Sequence, residues 1–314
     1  MSDEISKLFL PQLFGKQELV EGKKTRFAHY TSAEGAMSIL TTRKMWLRNI
    51  LFMNDFSEVD FGIRCLSAFF NSASASAFWE IVARLTDGTG QGVKDLFNGW
   101  VPDLTTQTYV TCVSEHGPED DGYGRLSMWR AYGKNTGVAL VVNPDVMLSE
   151  TDALHTYTYP VWYGTEREAQ DMFKEVVDGI VANESKLKGM TAQDAAAHAF
   201  HMFHSFALCL KHRGFEEERE WRIVHRPKMQ PSERVTPRTV SVGGVPQRIY
   251  EVPLADVPQE GLVGLSIPSL VNRLIIGPTE YPVALWHAFV ELLRDAGVEN
   301  PESKVFTSNI PLRV

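Results

Sequence analysis

The segment FEEEREWRIV, residues 215–224, places four glutamates directly before a run of aromatic and aliphatic residues that is typical of a β-strand. Like charges in such a cluster repel one another, and taking them out of water is costly. The glutamates therefore form either a solvated strand end or a group that includes a reactive carboxylate. A carboxylate aimed into a cleft can stabilise a developing positive charge or deprotonate a nucleophile.

Strand alternation selects two of the four carboxylates. Residues two apart on a strand share a face, so Glu218 and Glu220 are expected on one surface and Arg219 on the other. Glu216 and Glu217 are then expected to be loop residues. We interpret Glu218 and Glu220 as candidate catalytic groups, with an exposed and charged strand end as the alternative.

A second candidate group is the run His29, Tyr30, Thr31 and Ser32, where a predicted strand meets a predicted helix. A helix N-terminus offers free N–H groups and a positive dipole end, so this junction could hold a ribose or a phosphate. Thr31 and Glu34 have the spacing of a capping box. The alternative is that Thr31 only caps the helix and that His29 is an ordinary strand residue.

A third candidate group is Trp129 and Tyr132, which come directly before Gly133. An aromatic ring beside a glycine can stack on a planar ligand, because the missing side chain leaves the approach open. The alternative is a core helix on which Trp129 and Tyr132, three residues apart, share one face.

Other chemistries lack a matching pattern. His201 and His212 lie eleven residues apart in a predicted helix, roughly 16 Å along its axis, which is too far to share one metal ion. The glycine-rich DGTGQG, residues 87–92, lacks the Lys and Ser or Thr that complete a phosphate-binding loop. No Gly-x-Ser-x-Gly nucleophile motif is present. We therefore expect no metal.

The composition indicates a globular protein of 314 residues with 44% hydrophobic residues and a formal net charge of −8. That charge argues against a protein that coats nucleic acid or an anionic membrane over its whole surface. Three cysteines far apart in the sequence favour a reducing compartment, and the acidic start MSDEISKLFL is unlike a signal peptide. A cytoplasmic protein without a membrane partner is expected.

The charge is uneven along the chain. Residues 21–48 carry six Lys or Arg against two Glu, and residues 211–238 carry eight against five. These two stretches hold the His29 and Glu220 candidates. Their local positive charge would suit a pyrophosphate or a nucleic acid facing one cleft.

The predicted elements mix strands and helices irregularly, which favours an α+β fold over a doubly wound sheet. Strands are predicted over 25–32, 44–49, 108–115, 136–143, 219–225, 248–254 and 271–277. Helices are predicted over 32–42, 125–133 and 284–297, over most of 166–212, and after the capping pair Asp55 and Glu58. Since no repeat or linker interrupts the chain, residues 1–314 are expected to form a single domain.

Taken in order, HYTS, NDFSE, VTCVSE, LSMWRAYG with GVALVV, and KHRGFEEEREWRIV resemble the motifs of a widespread bacterial family of uncharacterised domains. The pattern is His/Tyr-x-Thr/Ser, Asn-Asp-x-x-Glu, Trp-x-x-Tyr-Gly and Glu-x-Glu-Trp-Arg, and it spans roughly residues 25–280. That family in turn resembles the ADP-ribosyltransferases. The resemblance implies a split core of two small sheets over roughly 25–297, with flanking helices and a helical insertion around 166–212.

The resemblance also implies roles in binding NAD, which would be the substrate. His29 would contact a ribose hydroxyl, with Tyr30, Thr31 and Ser32 beside it. Trp129 or Tyr132 would pack on the nicotinamide.

The resemblance to ADP-ribosyltransferases implies a three-part signature: a His on the first strand, a Tyr or Ser on a later element, and a Glu before a late strand. Trp129, Tyr132 and Ser114 are the alternatives for the second part. Asn54, with Asp55 and Glu58, has no fixed counterpart in that three-part signature, and would be either a second piece of the cleft or only a helix cap.

On the same resemblance, Glu220 would contact the nicotinamide-ribose 2′-OH and stabilise the oxocarbenium-like transition state, while Glu218 would orient the acceptor. The expected protein is an ADP-ribosyltransferase that modifies nucleic acid or protein, as a bacterial toxin or antiphage effector with a neutralising antitoxin. An NAD glycohydrolase with water as acceptor, and a non-enzymatic nucleotide-sensing or interaction module, are the alternatives.

Overall fold

A computed structural model of the protein describes residues 3–23, 25–52, 57–85, 95, 98–100, 102–104, 106–133, 136–149, 151–188 and 190–311. The helices are α1 Asp3–Phe9, α2 Pro11–Lys23, α3 Ala33–Thr42, α4 Ser57–Phe70, α5 Ala73–Leu85, α6 Leu126–Met128, α7 Glu166–Ala182, α8 Glu184–Leu187, α9 Ala192–Cys209, α10 Ile267–Leu270 and α11 Pro282–Asp295. The strands are β1 Arg26–Ser32, β2 Lys44–Asn49, β3 Tyr109–His116, β4 Gly137–Val142, β5 Thr156–Pro160, β6 Trp162–Gly164, β7 Leu210–His212, β8 Glu220–His225, β9 Thr236–Val242, β10 Val245–Pro253, β11 Val271–Ile276 and β12 Val305–Thr307.

The sequence predicts a single domain. Within the structure, the backbone packs into two compact units. The first unit is Met1–Glu18, Asn49–Thr108 and Tyr159–Glu216, and the second is Leu19–Arg48, Tyr109–Thr158 and Glu217–Val314. The expected helical insertion, 166–212, lies wholly in the first unit. None of the described helices is long and apolar enough to cross a bilayer.

The first unit is mainly helical, and aromatic rings fill its core. Phe69 of α4 packs against Phe173 of α7 with ring centroids 4.9 Å apart, and the imidazole of His198 stacks on Phe9 at 5.2 Å. The histidine-rich helix α9 therefore contributes imidazoles to ring packing. Among the described residues, no three His, Cys, Asp or Glu side chains converge as metal ligands.

The second unit contains a large mixed sheet that forks at β3. The strand order is β12-β11-β4-β1-β3-β2-β10-β9, and β8 pairs with β3 and β5. β1 pairs with β3 through Ala28 opposite Ser114, but with β4 as far as Ser32. Beyond Ala28 the sheet continues as two half-sheets, one built on β1 and β4 and the other on β3, β2 and β8. The structure is thus a mixed α and β fold with a forked sheet.

The two faces of β1 belong to different cores. Phe27 packs with Leu140 of β4 and with the helices α3 and α11, on the side we call the His29 face. Ala28 and Tyr30 pack with Met128 and Trp129 on the opposite side, the Trp129 face. Because neighbouring residues of a strand point to opposite faces, the side chains of β1 alternate between these two cores.

Trp129 is almost completely buried in the core on the Trp129 face and is only 4% exposed. Its indole meets the edge of the Tyr30 ring at 4.8 Å. A β-carbon at Gly277 would lie 2.8 Å from the indole, and one at Gly124 would lie 2.5 Å from it. These glycines let the backbone approach the ring from two distant parts of the sequence.

Replacing Gly277 with alanine is expected to lower the free energy of unfolding by about 1–3 kcal/mol, because the new methyl group overlaps a buried ring that has no room to move. Gly22→Ala is the control: it lies in α2 in the same unit, with nothing within 4 Å of its β-carbon position. Urea unfolding followed by tryptophan fluorescence measures both variants. Equal stability of the two variants would contradict the packing described for Trp129.

Because the hydroxyl of Tyr30 is buried, the protein is expected to lose stability in strong alkali. Burial raises the pKa of Tyr30 to about 12, while the unfolded chain releases this proton near the ordinary value of 10. Between pH 10 and 12 the unfolded state therefore holds fewer protons, and the free energy of unfolding falls by up to about 2–3 kcal/mol. Tyr30→Phe should remove this part of the decline, whereas Tyr281→Phe, at an exposed tyrosine, should decline like the wild type in urea titrations across that range.

Candidate active site

The expected alternation of Glu218 and Glu220 on one strand is wrong. β8 begins at Glu220, and Glu218 is the last residue of a 3₁₀ helix, Arg213–Glu218. Arg219 between them has φ 43°, a left-handed conformation that is uncommon for residues other than glycine. The chain thus turns sharply between the two carboxylates, so that they leave the backbone at a bend and in different environments.

Glu220 lies on the Trp129 face of the sheet. It stands opposite Ser114 of β3, and Ser114 stands opposite Ala28 of β1. Directly opposed residues of antiparallel strands project to the same face. The hydroxyl of Ser114 lies 3.8 Å from the sulfur of Met128, which confirms that face for all three strands.

Glu220 is bound to Arg222, two residues along the same strand. The carboxylate accepts a hydrogen bond from Nε of Arg222 at 2.8 Å and a second from its terminal nitrogen at 3.4 Å. The two residues are only 6% and 4% exposed. Sequence reasoning missed Arg222, although strand alternation places it on the face of Glu220.

Glu218 is half-buried and lies beside Tyr132. The hydroxyl of Tyr132 donates to its carboxylate at 3.4 Å. Tyr132 belongs to a π-helical turn, Trp129–Gly133, that continues α6. Its partly buried side chain packs against the core on the Trp129 face. The structure therefore brings Tyr132, Glu218 and Glu220 to one side of the sheet, next to Ser114.

Arg125, which sequence reasoning also missed, fixes the bend before β8. Its guanidinium donates to the backbone carbonyls of Glu217 at 2.7 Å and Glu218 at 3.3 Å. The same group donates to the carbonyl of Glu115 at 2.7 Å and to the carboxylate of Asp120 at 2.9 Å. A single side chain thus joins the loop of Glu218 to the end of β3, and nothing in the spacing of Arg125 signals this role.

His29 points away from these carboxylates. It lies on the His29 face, where its Nδ1 donates to the carbonyl of Cys112 at 2.9 Å. Burial lowers the pKa of His29, and the bond to Cys112 offsets part of that effect. The cavity beside it, with apolar walls that include Leu140 and Val252, encloses about 90 Å³. That is less than the roughly 150 Å³ that admits benzene. The structure thus places His29 and Glu220 on opposite faces of the sheet and does not bring them together in one cleft.

The rest of the predicted binding run also differs from expectation. Ser32, rather than Thr31, caps α3, and its hydroxyl accepts from the backbone N–H of Gly35 at 3.1 Å. Thr31 continues the strand. Tyr30, on the Trp129 face, accepts a hydrogen bond on its hydroxyl from the backbone N–H of Arg125 at 2.9 Å.

Trp129 is a core residue and does not offer a free stacking face. Its Nε1 donates to the carbonyl of Tyr123 at 2.7 Å. The glycine pattern that suggested an open approach instead admits the ring into the core. Asn54 and Asp55 lie outside the described residues, as does the side chain of Glu58.

Several cations of the two basic stretches form ion pairs with carboxylates of the protein itself. The pairs are Arg26 with Asp121, Lys44 with Glu251, Arg222 with Glu220, Arg234 with Glu260 and Arg238 with Glu251. Local positive charge in sequence was therefore a poor guide to free positive charge in the fold.

In the comparison with known proteins, one segment of the chain matches a family that has no assigned activity. No curated protein and no solved structure matches the chain. The matching segment, residues 128–223, holds Tyr132, Glu218 and Glu220 and covers about a third of the chain. It matches the protein family described as "Protein of unknown function (DUF2971)", in agreement with the expected resemblance to an uncharacterised domain family.

Proposed function

We propose that the protein cleaves the bond between nicotinamide and ribose in NAD and transfers ADP-ribose to a macromolecule, as a bacterial toxin or antiphage effector. The observation that carries the proposal is the pair of carboxylates at the bend before β8. Glu218 is half-buried beside the hydroxyl of Tyr132, and Glu220 is buried and fixed by Arg222. Cleavage of this bond places positive charge on the ribose, which a fixed carboxylate stabilises.

The geometry supports a revised division of roles. Glu218 is the carboxylate that a substrate can reach, so it takes the contact with the ribose. Tyr132 orients Glu218 and presents the edge of its half-buried ring to the nicotinamide. Arg130, exposed in the same helical turn, is the cation that supports binding of the pyrophosphate.

The transfer step balances without a further reagent. The bond from the ribose C1′ to the nicotinamide nitrogen breaks, and its electron pair leaves with nicotinamide. A hydroxyl or amine of the acceptor forms the new bond to C1′, and its proton passes to the carboxylate of Glu218.

Glu218→Gln is expected to lower the rate of nicotinamide release at least about 100-fold, because the amide can neither accept the proton nor carry the charge. Tyr132→Phe should cost about tenfold, the value of one hydrogen bond to a charged group. The control is Glu217→Gln, since Glu217 is exposed and contributes its backbone carbonyl to Arg125. The assay incubates purified protein with adenylate-labelled NAD and cell lysate, and follows free nicotinamide and labelled polymer.

A wild-type protein that releases no nicotinamide and labels no polymer would rule out both transfer and hydrolysis of NAD. Release of nicotinamide without labelled protein or nucleic acid would make water the acceptor. Equal activity of Glu217→Gln and Glu218→Gln would show that the carboxylate of Glu218 takes no part in the reaction.

Glu220→Gln is expected to lower the free energy of unfolding by about 3–5 kcal/mol, because it takes away the charge partner of a buried guanidinium. The double variant Glu220→Leu with Arg222→Leu should recover much of that loss, since it removes both charges. Urea unfolding of the three proteins measures this. If Glu220→Gln keeps full stability yet loses all activity, Glu220 rather than Glu218 touches the substrate.

A further inference from the structure

A cavity of about 260 Å³ lies in the first compact unit, lined by the start of α2, the residues around β6 and the end of α9. It is almost three times as large as the cavity beside His29, which encloses about 90 Å³. It also exceeds the roughly 150 Å³ of an apolar cavity that takes up benzene. The space is therefore sufficient for a single ring system of nucleobase size.

The lining of this cavity is mostly apolar and aromatic. Leu13, Met172 and the aromatic Phe206 are among the residues that line it, and the two aromatic residues of β6, Trp162 and Tyr163, also border it. Small-molecule sites typically combine such walls with a few converging polar groups that fix the orientation of the ligand. A flat ring is the shape that aromatic walls favour.

Gln12 supplies a polar group whose carbonyl oxygen lacks a hydrogen-bond donor among the described residues. This oxygen, Oε1, is buried. A buried acceptor without a donor loses its hydration and gains nothing in return, so a ligand that lets the amide turn and pair both of its ends would bind favourably. Ser205, on the same lining and 8% exposed, adds a hydroxyl that can both donate and accept.

The side chain of Gln12 also limits the class of ligand. A carboxamide has a donor and an acceptor side by side, and the two ends exchange places when the amide turns over. A nucleobase or an aromatic carboxamide carries the same donor and acceptor pair, so it matches Gln12 in either orientation. A hydrocarbon of equal size would leave the amide unpaired.

The charges of the lining cancel. Lys16 and Glu216 contribute one charge of each sign. A phosphorylated or carboxylated ligand would therefore gain little over an uncharged one. We propose that the cavity binds an uncharged planar heteroaromatic molecule, of the nucleobase or aromatic carboxamide class, through the carboxamide of Gln12. Every residue that lines the cavity belongs to the first unit, whereas Tyr132, Glu218 and Glu220 of the proposed NAD chemistry belong to the second.

The test titrates the full-length protein with adenine, uracil and benzamide, and with cyclohexanol as a non-planar control, using isothermal calorimetry and ligand-observed NMR. At least one ring compound is expected to bind the wild type, and Gln12→Leu should weaken it about tenfold. Gln17→Leu is the matched control, since Gln17 lies on the same helix outside the residues that line the cavity. It should leave the affinity unchanged.

Three results would overturn the proposal. They are no binding of any ring compound at millimolar concentration, equal affinity of Gln12→Leu and Gln17→Leu, and tighter binding of cyclohexanol than of the rings. If Gln12→Leu does not fold, as judged by circular dichroism, Ser205→Leu takes its place. It fills the cavity from α9 and must abolish binding if the site is correct.

Discussion

The candidate active site depends on the guanidinium of Arg125. This one group donates to the carbonyls of Glu115, Glu217 and Glu218 and to the carboxylate of Asp120. Backbone carbonyls at the end of β3 and before β8 would otherwise need other donors, because buried polar groups without partners are costly. Arginine suits this task, since its planar fork offers several donors in fixed directions and keeps its charge. The position of Glu218 is therefore set by a residue 93 positions earlier in the chain.

The loop that carries Arg125 is itself held at its other end. Asp121 binds Arg26 at 2.5 Å, His116 at 3.0 Å and Arg273 at 3.2 Å, so three strands of the sheet meet at one carboxylate. Burial lowers the pKa of His116, although its bond to Asp121 acts in the opposite direction. Residues 117–125 thus form a strap fixed by Asp121 at the sheet and by Arg125 at the bend before β8. Both ends must be in place for Tyr132 and Glu218 to meet.

Sequence patterns predicted the positions of the strands and helices better than they predicted the contacts between side chains. The predicted strands correspond to β1, β2, β3, β4, β8, β10 and β11, because each has a clear hydrophobic run. Alternation failed at Arg219, where a left-handed residue that is not glycine ends one element and allows the next to begin. On β1 the prediction is also off by one residue: Tyr30, rather than the expected His29, lies on the face of the sheet that carries Trp129. A shift of one residue exchanges the two faces of a strand, and hydrophobic periodicity alone does not fix that choice when both faces are buried.

The surroundings of the two carboxylates differ, and this difference supports the separate roles that we propose for them. Glu220 is in the strand, covered and bound by Arg222, so its charge is held where it stabilises the sheet and any cation beside it. Glu218 is on the other side of the bend, half-buried, and accepts a hydrogen bond from the hydroxyl of the half-buried Tyr132. Carboxylates whose environments differ in this way take different roles in catalysis, because a group fixed by a buried ion pair resists movement and proton exchange. The left-handed turn at Arg219 separates these environments within three residues, which a continuous strand with both side chains on one face would not do.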